Sequence, residues 1–136
     1  MDNKVKRGIT ASTFDLLHAG HILMLKEAKS VCDYLIVALQ VDPTIDRPTK
    51  NQPIQSFYER WVQLSAVRYV YEVIPYSSES ELMTILQNYN IDIRILGDEY
   101  KHKMFTGRDL HMEYHFNKRT HGYSSTELRE RVSNNG

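Results

Sequence analysis

The run Tyr34-Leu35-Ile36-Val37-Ala38-Leu39 is apolar at every position, without the alternation of a strand that has one wet face. A strand of this kind must be covered on both sides, as in a parallel sheet packed between helices. Further segments read as strands around it: Val5 to Ala11, Tyr71 to Ile74 ended by Pro75, Ile91 to Leu96, and Leu110 to Phe116, whose alternation suits a sheet edge. Helical patterns fall between them. Gly20 to Val31 carries Ile22, Leu25, Ala28 and Cys32 at three- and four-residue spacing. Ser56 with Glu59 forms a capping box for a helix bearing Phe57, Trp61, Leu64 and Val67. Ser78 or Ser80 opens a helix with Leu82, Ile85, Leu86 and Tyr89 on one face, and Ser124 with Glu127 opens a last one with Leu128 and Val132 inward. This order predicts an α/β fold. It is a Rossmann-like, doubly wound, mostly parallel sheet of about five strands with helices on both faces, in a single domain over residues 1–136.

Composition narrows the function classes. Lys plus Arg and Asp plus Glu balance at 17 each, so no global field recruits nucleic acid or a membrane surface. A lone cysteine, Cys32, excludes an intrachain disulfide and reads as a buried, inert thiol. No apolar stretch is long enough to span a bilayer, and Met1 to Arg7 is polar, so a cytoplasmic protein is expected.

In a doubly wound sheet, ligands bind beyond the carboxyl ends of the strands. Four segments fall there: residues 12–21, the proline-rich loop 42–53, the Gly97-Asp98 turn and residues 118–127. The first holds His18 and His21 around Gly20 at the mouth of a helix, where backbone N–H groups and the helix dipole favour an anion. The last holds Arg119, Thr120, His121, Gly122, Tyr123, Ser124, Ser125 and Thr126 at the mouth of another: a guanidinium followed by hydroxyls, which is a second phosphate cradle. Plainer roles exist for each. The histidines can cap the helix, Arg60 and Arg68 can be solvated, and Asp98 can be a turn former. His111 and His115 share a strand face too far apart for a compact metal pair, and the nine tyrosines lack the interleaved basic residues of an RNA-binding surface.

The segment Thr13-Phe14-Asp15-Leu16-Leu17-His18-Ala19-Gly20-His21 together with Arg119-Thr120-His121-Gly122-Tyr123-Ser124-Ser125-Thr126 resembles the HxGH nucleotidyltransferases, in particular the family of glycerol-3-phosphate cytidylyltransferase. Asp33-Tyr34-Leu35, Tyr58-Glu59-Arg60, Arg68-Tyr69-Val70, Glu72-Val73-Ile74-Pro75 and Gly97-Asp98 extend the likeness along the chain. The resemblance implies CMP transfer from CTP, with Mg²⁺, to a small phosphorylated acceptor such as glycerol-3-phosphate, in a homodimer. It implies catalytic roles for His18, His21, Arg119 and Arg68. It implies nucleotide contacts for Thr13, Phe14, Gly20, Lys50, Gly97, Asp98, Arg119, Thr120, Gly122, Tyr123, Ser124, Ser125 and Thr126. It implies acceptor contacts for Asp15, Arg60 and Arg68, with Asp15 also the candidate metal ligand. The chain departs from the family at Ser12, where glycine is usual. The loop 42–53 offers only Arg47 and Lys50, and Glu81 and Leu82 stand where an acceptor-binding lysine is usual. An ATP-using adenylyltransferase, suggested by Ser124-Ser125-Thr126-Glu127-Leu128-Arg129, and a nucleotide-binding protein without turnover are the alternatives.

Overall fold

The computed structural model describes residues 4–135, so Met1 to Asn3 and Gly136 of the expected domain lie outside the described residues. Its elements are β1 (Arg7–Ser12), α1 (Ala19–Ser30), β2 (Tyr34–Gln40), α2 (Phe57–Ser65), β3 (Glu72–Tyr76), α3 (Glu79–Asn88), β4 (Ile93–Gly97), a 3₁₀ turn (Asp98–Tyr100), β5 (Glu113–Asn117) and α4 (Ser125–Asn135). The strands form one sheet in the order β3-β2-β1-β4-β5, and every pairing is parallel. The order reverses between β1 and β4, which is the switch point.

The apolar run in β2 divides by parity. Leu35, Val37 and Leu39 pack with Leu25, Ala28 and Leu64 of α1 and α2 on one face. Ile36 and Ala38 pack with Leu82, Ile85 and Leu86 of α3 on the other. Both faces are therefore dry, as the composition of the run requires. The Ser56–Glu59 capping box forms with both hydrogen bonds, and Ser78 rather than Ser80 caps α3.

Several expected boundaries move, for local reasons. β3 runs through Pro75 to Tyr76, because at the sheet edge the loss of one ladder N–H is tolerated. β5 starts at Glu113 rather than Leu110, because residues 107–112 turn back on themselves and the Tyr114 hydroxyl gathers the carbonyls of Gly107, Arg108 and Leu110. α4 has no buried residue. Leu128 is half-buried, and Val132 is 70 % exposed rather than inward, since α4 lays no second turn against the sheet. Cys32 is half-buried beside Gly8, its thiol 3.4 Å from the Ala28 carbonyl, and burial pushes its pKa up, so the inert reading stands.

Candidate active site

The chain leaves β1 through a backbone that local preference opposes. Phe14 and Leu16 have φ of 51° and 53°, the left-handed region that non-glycine residues seldom adopt. Tertiary contacts impose it. The Phe14 ring is 2 % exposed in the core, and the Thr13 carbonyl accepts from Arg60 Nη1 at 3.0 Å. The Leu16 N–H donates to Gln55 Oε1 at 2.8 Å, while the Asp15 carboxylate accepts from the Ile54 and Gln55 N–H groups at 2.8 and 3.0 Å. The residues leading into α2 thus clamp the turn.

The clamped turn ends in a capping box made of two imidazoles. His18 is the N-cap of α1, and its Nδ1 accepts from the Gly20 N–H at 3.0 Å; His21, at the third helical position, accepts from the His18 N–H through its own Nδ1 at 3.2 Å. A backbone N–H can only donate, so each Nδ1 must be unprotonated and each neutral ring carries its proton on Nε2. The three-residue spacing therefore sets the tautomer of both rings and leaves two Nε2–H donors at a helix N-terminus. Burial lowers the pKa of both, with the charges of His121 and Arg119 adding to the effect at His18, and His21 falls to about 4. At neutral pH the rings are uncharged donors awaiting an anion.

The C-terminal segment closes over the same point. A Cβ on Gly20 would meet the His18 ring at 2.8 Å and the His121 ring at 3.0 Å, so the bare glycine lets residues a hundred positions apart converge there without either ring shifting. Ser125 Oγ donates to the Asp15 carbonyl at 3.4 Å, and Ser124 caps α4 by accepting from the Glu127 N–H at 3.0 Å. The Glu127 side chain does not complete the second capping box among the described residues. Arg119 reaches the Tyr123 carbonyl at 2.9 Å. Both cradles line one crevice of about 800 Å³ over the switch point.

Its lining brings together Thr13, Asp15, His18, Gly20, His21, Lys50, Gly97, Asp98, Arg119, Thr120, Tyr123, Ser124 and Ser125 among the expected site residues, and Ser12 stands exposed at its floor. Phe14, Gly122 and Thr126 are outside the lining: the Phe14 side chain is core, and the other two face solvent.

Two expectations are corrected. Arg60 does not face the crevice. It is 2 % exposed, and its guanidinium donates to the carbonyls of Gln55, Thr13, Gln40 and Val41 at 2.6–3.2 Å, which makes it the pin that joins β1, β2 and α2. Arg68 lies beyond the end of α2, exposed, with its guanidinium over its neighbour Tyr69 and away from the crevice. The similarity of their surroundings in sequence hid this, because a helix-borne arginine looks the same whether its donors meet carbonyls or solvent.

Other residues in and around the crevice carry no local signature. His115 Nε2 bonds Glu27 Oε2 at 2.7 Å, and Glu27 also receives the Lys118 N–H, which ties α1 to the second cradle; His111 is exposed and outside β5. Asn117 lies 5 % exposed in the lining with both amide atoms unpartnered among the described residues, and Arg94 is 5 % exposed with Nη1 likewise unpartnered. No group of three or more His, Cys, Asp or Glu forms a metal cage among the described residues. The described helices include none long and apolar enough to cross a membrane.

A parallel sheet with paired helix-terminus anion cradles at its switch point defines a class of nucleotide-handling protein. Residues 9–131 match the model of the cytidylyltransferase-like family. The chain is 35 % identical over 129 residues to the glycerol-3-phosphate cytidylyltransferase of Bacillus subtilis, covering 95 % of this chain and 98 % of that one. It is 38 % identical over 93 residues to the FAD synthase of Thermococcus sibiricus, covering 68 % and 63 %. The crystal structure of the lipopolysaccharide core biosynthesis protein of Thermoplasma volcanium superposes with a TM-score of 0.61 at 24 % identity, covering 96 % of this chain and 88 % of that one, a likeness of fold. This chain belongs to the cytidylyltransferase-like family and is a nucleotidyltransferase.

Proposed function

We propose that the crevice transfers CMP from CTP to the phosphate of a small acceptor, glycerol-3-phosphate or a related phospho-alcohol. An acceptor phosphate oxygen bonds to the α-phosphorus, the bond from that phosphorus to the bridging oxygen breaks, and pyrophosphate leaves with the electron pair. No protein nucleophile is needed, so rate comes from positioning and from donors aimed at the developing charge. The observation that carries this reading is the His18–His21 capping box, a rigid pair of neutral Nε2–H donors in the crevice that Arg119 also lines, with the His121 ring meeting that of His18 over Gly20. The protonated His18 and His21 nitrogens hold α- and β-phosphate oxygens, and their depressed pKa values rise as that charge arrives. Arg119, Thr120, Ser124 and Ser125 hold the outgoing phosphates, and Lys50 covers them from the loop. The near full-length likeness to glycerol-3-phosphate cytidylyltransferases supports CTP as the donor.

The donor set suits a Mg²⁺ that arrives on the triphosphate. Such an ion needs only one or two protein carboxylates, and each Asp15 oxygen keeps a lone pair after accepting one backbone N–H. When bound, the ion spreads negative charge away from the reacting phosphates. The exposed aromatic face of α2, with Tyr58 at 70 % and Trp61 at 40 % exposure beside Ile54, supports a homodimer, and we place the enzyme in the cytoplasm.

Incubation with CTP, Mg²⁺ and a panel of phosphorylated polyols and aminoalcohols is expected to release pyrophosphate with at least one of them. No release with any member overturns the reading. The alternative nucleotide, ATP, is separated by thermal shift: CTP should raise Tm more than ATP at equal concentration. A shift without turnover on any acceptor identifies a nucleotide-binding protein lacking chemistry.

A further inference from the structure

Two arginines are buried in this molecule to nearly the same degree, and they differ in one respect. Arg60, at 2 % exposure, has four carbonyl partners. Arg94, at 5 %, has none for its Nη1 among the described residues. It is the second residue of β4, opposite Ile9, with its guanidinium 5.1 Å over the Phe105 ring. Nη1 packs beneath Gly107, where φ is +87° and a Cβ would come within 3.1 Å of that nitrogen. The charge of Glu79 is felt at Arg94, but that carboxylate is taken up by Thr106 Oγ1 at 2.9 Å and Arg47 at 3.6 Å. A desolvated guanidinium donor that meets neither a carbonyl, as those of Arg60 do, nor a carboxylate is disfavoured unless a ligand supplies an acceptor.

The surroundings of Arg94 are open to the crevice, which runs down the α3 face of the sheet between Tyr76, Tyr100, Phe105 and Thr106. Arg94 precedes Gly97 by three residues, so at strand rise it lies about 10 Å below the strand ends where the phosphates meet. Burial keeps the Tyr76 phenol a neutral donor. We propose that this deep wing is a subsite for a carboxylate at the far end of the acceptor, bound by Arg94, so that the substrate is a phosphorylated hydroxy acid rather than a phospho-alcohol alone. One guanidinium charge matches one carboxylate charge, and Arg94 lines the crevice from which such a group would approach. The proposal deepens the cytidylyltransferase reading and rests on it. It also accounts for the missing acceptor lysine near Glu81: the acceptor's charge is met from β4 instead of from α3.

The test uses acceptors matched but for the acid: 5-phosphoribonate against ribitol 5-phosphate, and 3-phosphoglycerate against glycerol-3-phosphate, each with CTP. The wild-type protein should prefer the five-carbon acid over its alcohol by about thirtyfold or more in kcat/KM, since a site built for a charged partner rejects the analogue lacking it. Arg94→Met should erase that preference through KM of the acid, leaving the alcohol within about threefold and KM for CTP unchanged. Equal wild-type rates within both pairs overturn the subsite, as does an equal loss on acid and alcohol in Arg94→Met, which would make Arg94 only a packing residue. If Arg94→Met does not fold, the wild-type comparison decides alone. If no acceptor of either kind releases pyrophosphate, the enzymatic reading fails separately. The subsite is then judged by the thermal shift with 5-phosphoribonate, which must exceed that with ribitol 5-phosphate or the subsite falls.

Discussion

In the N-terminal wall of the crevice, Phe14 is in the core, Gly20 is buried, and the turn is held by Arg60, Gln55 and the Asp15 carboxylate before any ligand arrives. In the C-terminal wall, Lys118, Arg119, Thr120, Gly122 and Tyr123 are exposed, and a Cβ added at Gly122 would meet nothing within 4 Å. One wall carries strained backbone fixed by long-range hydrogen bonds. The other is an exposed strap attached through Ser125 to Asp15 and through Glu27 to α1. On the proposed reading, the contrast divides preorganisation: the imidazole donors are held by the capping box before a ligand arrives, whereas the guanidinium of the strap has fewer fixed contacts.

The comparison breaks most readily at its pin. Arg60→Met should cost about 3–5 kcal/mol in chemical denaturation, because four carbonyls and the junction of three elements lose their donor. A loss below about 1 kcal/mol would show that the turn holds itself. His18→Asn keeps a good N-cap but removes the imidazole. It should lower kcat/KM about a hundredfold while leaving stability within about 1 kcal/mol. If activity survives, the fixed wall is not the reacting one. Arg119→Met should act on turnover about tenfold to thirtyfold with no measurable change in Tm, since Arg119 is exposed and its guanidinium bonds the Tyr123 carbonyl. A drop in Tm would mean the strap is as rigid as the opposite wall.

The fixed wall can also be tested through pH. The folded-state pKa of His21, about 4, lies below its ordinary 6.5. Its contribution to stability is thus complete above pH 6.5 and is lost as pH falls toward 4, because the unfolded chain binds the proton first. Acidification across that window should cost about 3 kcal/mol, and His21→Gln, which keeps a helix-capping acceptor, should flatten the slope. An unchanged slope would remove His21 as the acid-sensitive group of the rigid wall. In thermal-melt series the variant and wild type are compared at matched pH steps.

Much of the fold is legible in local signals. The unbroken apolar run of β2, the Ser56–Glu59 box and the three-residue spacing of His18 and His21 are each interactions within a turn or along one strand, so neighbouring residues carry them in full. Arg60 and Arg68 were not separable on that basis: both are arginines near one helix, and only the approach of the Thr13, Gln40 and Val41 carbonyls turns the first into a pin. Val132 shows the same limit, since its helical spacing is sound but no element among the described residues covers it.

The amino-acid order by itself determined the alternating elements, the two helix mouths and the chemistry waiting at each, because these depend on hydrogen bonds and side-chain spacing within a few residues. Tertiary structure alone decided that His121 meets His18 over Gly20, that Arg60 is spent on carbonyls and that Arg94 Nη1 is buried without a hydrogen-bond partner among the described residues. Those outcomes depend on which distant groups share a desolvated volume, and no short stretch of sequence contains that information.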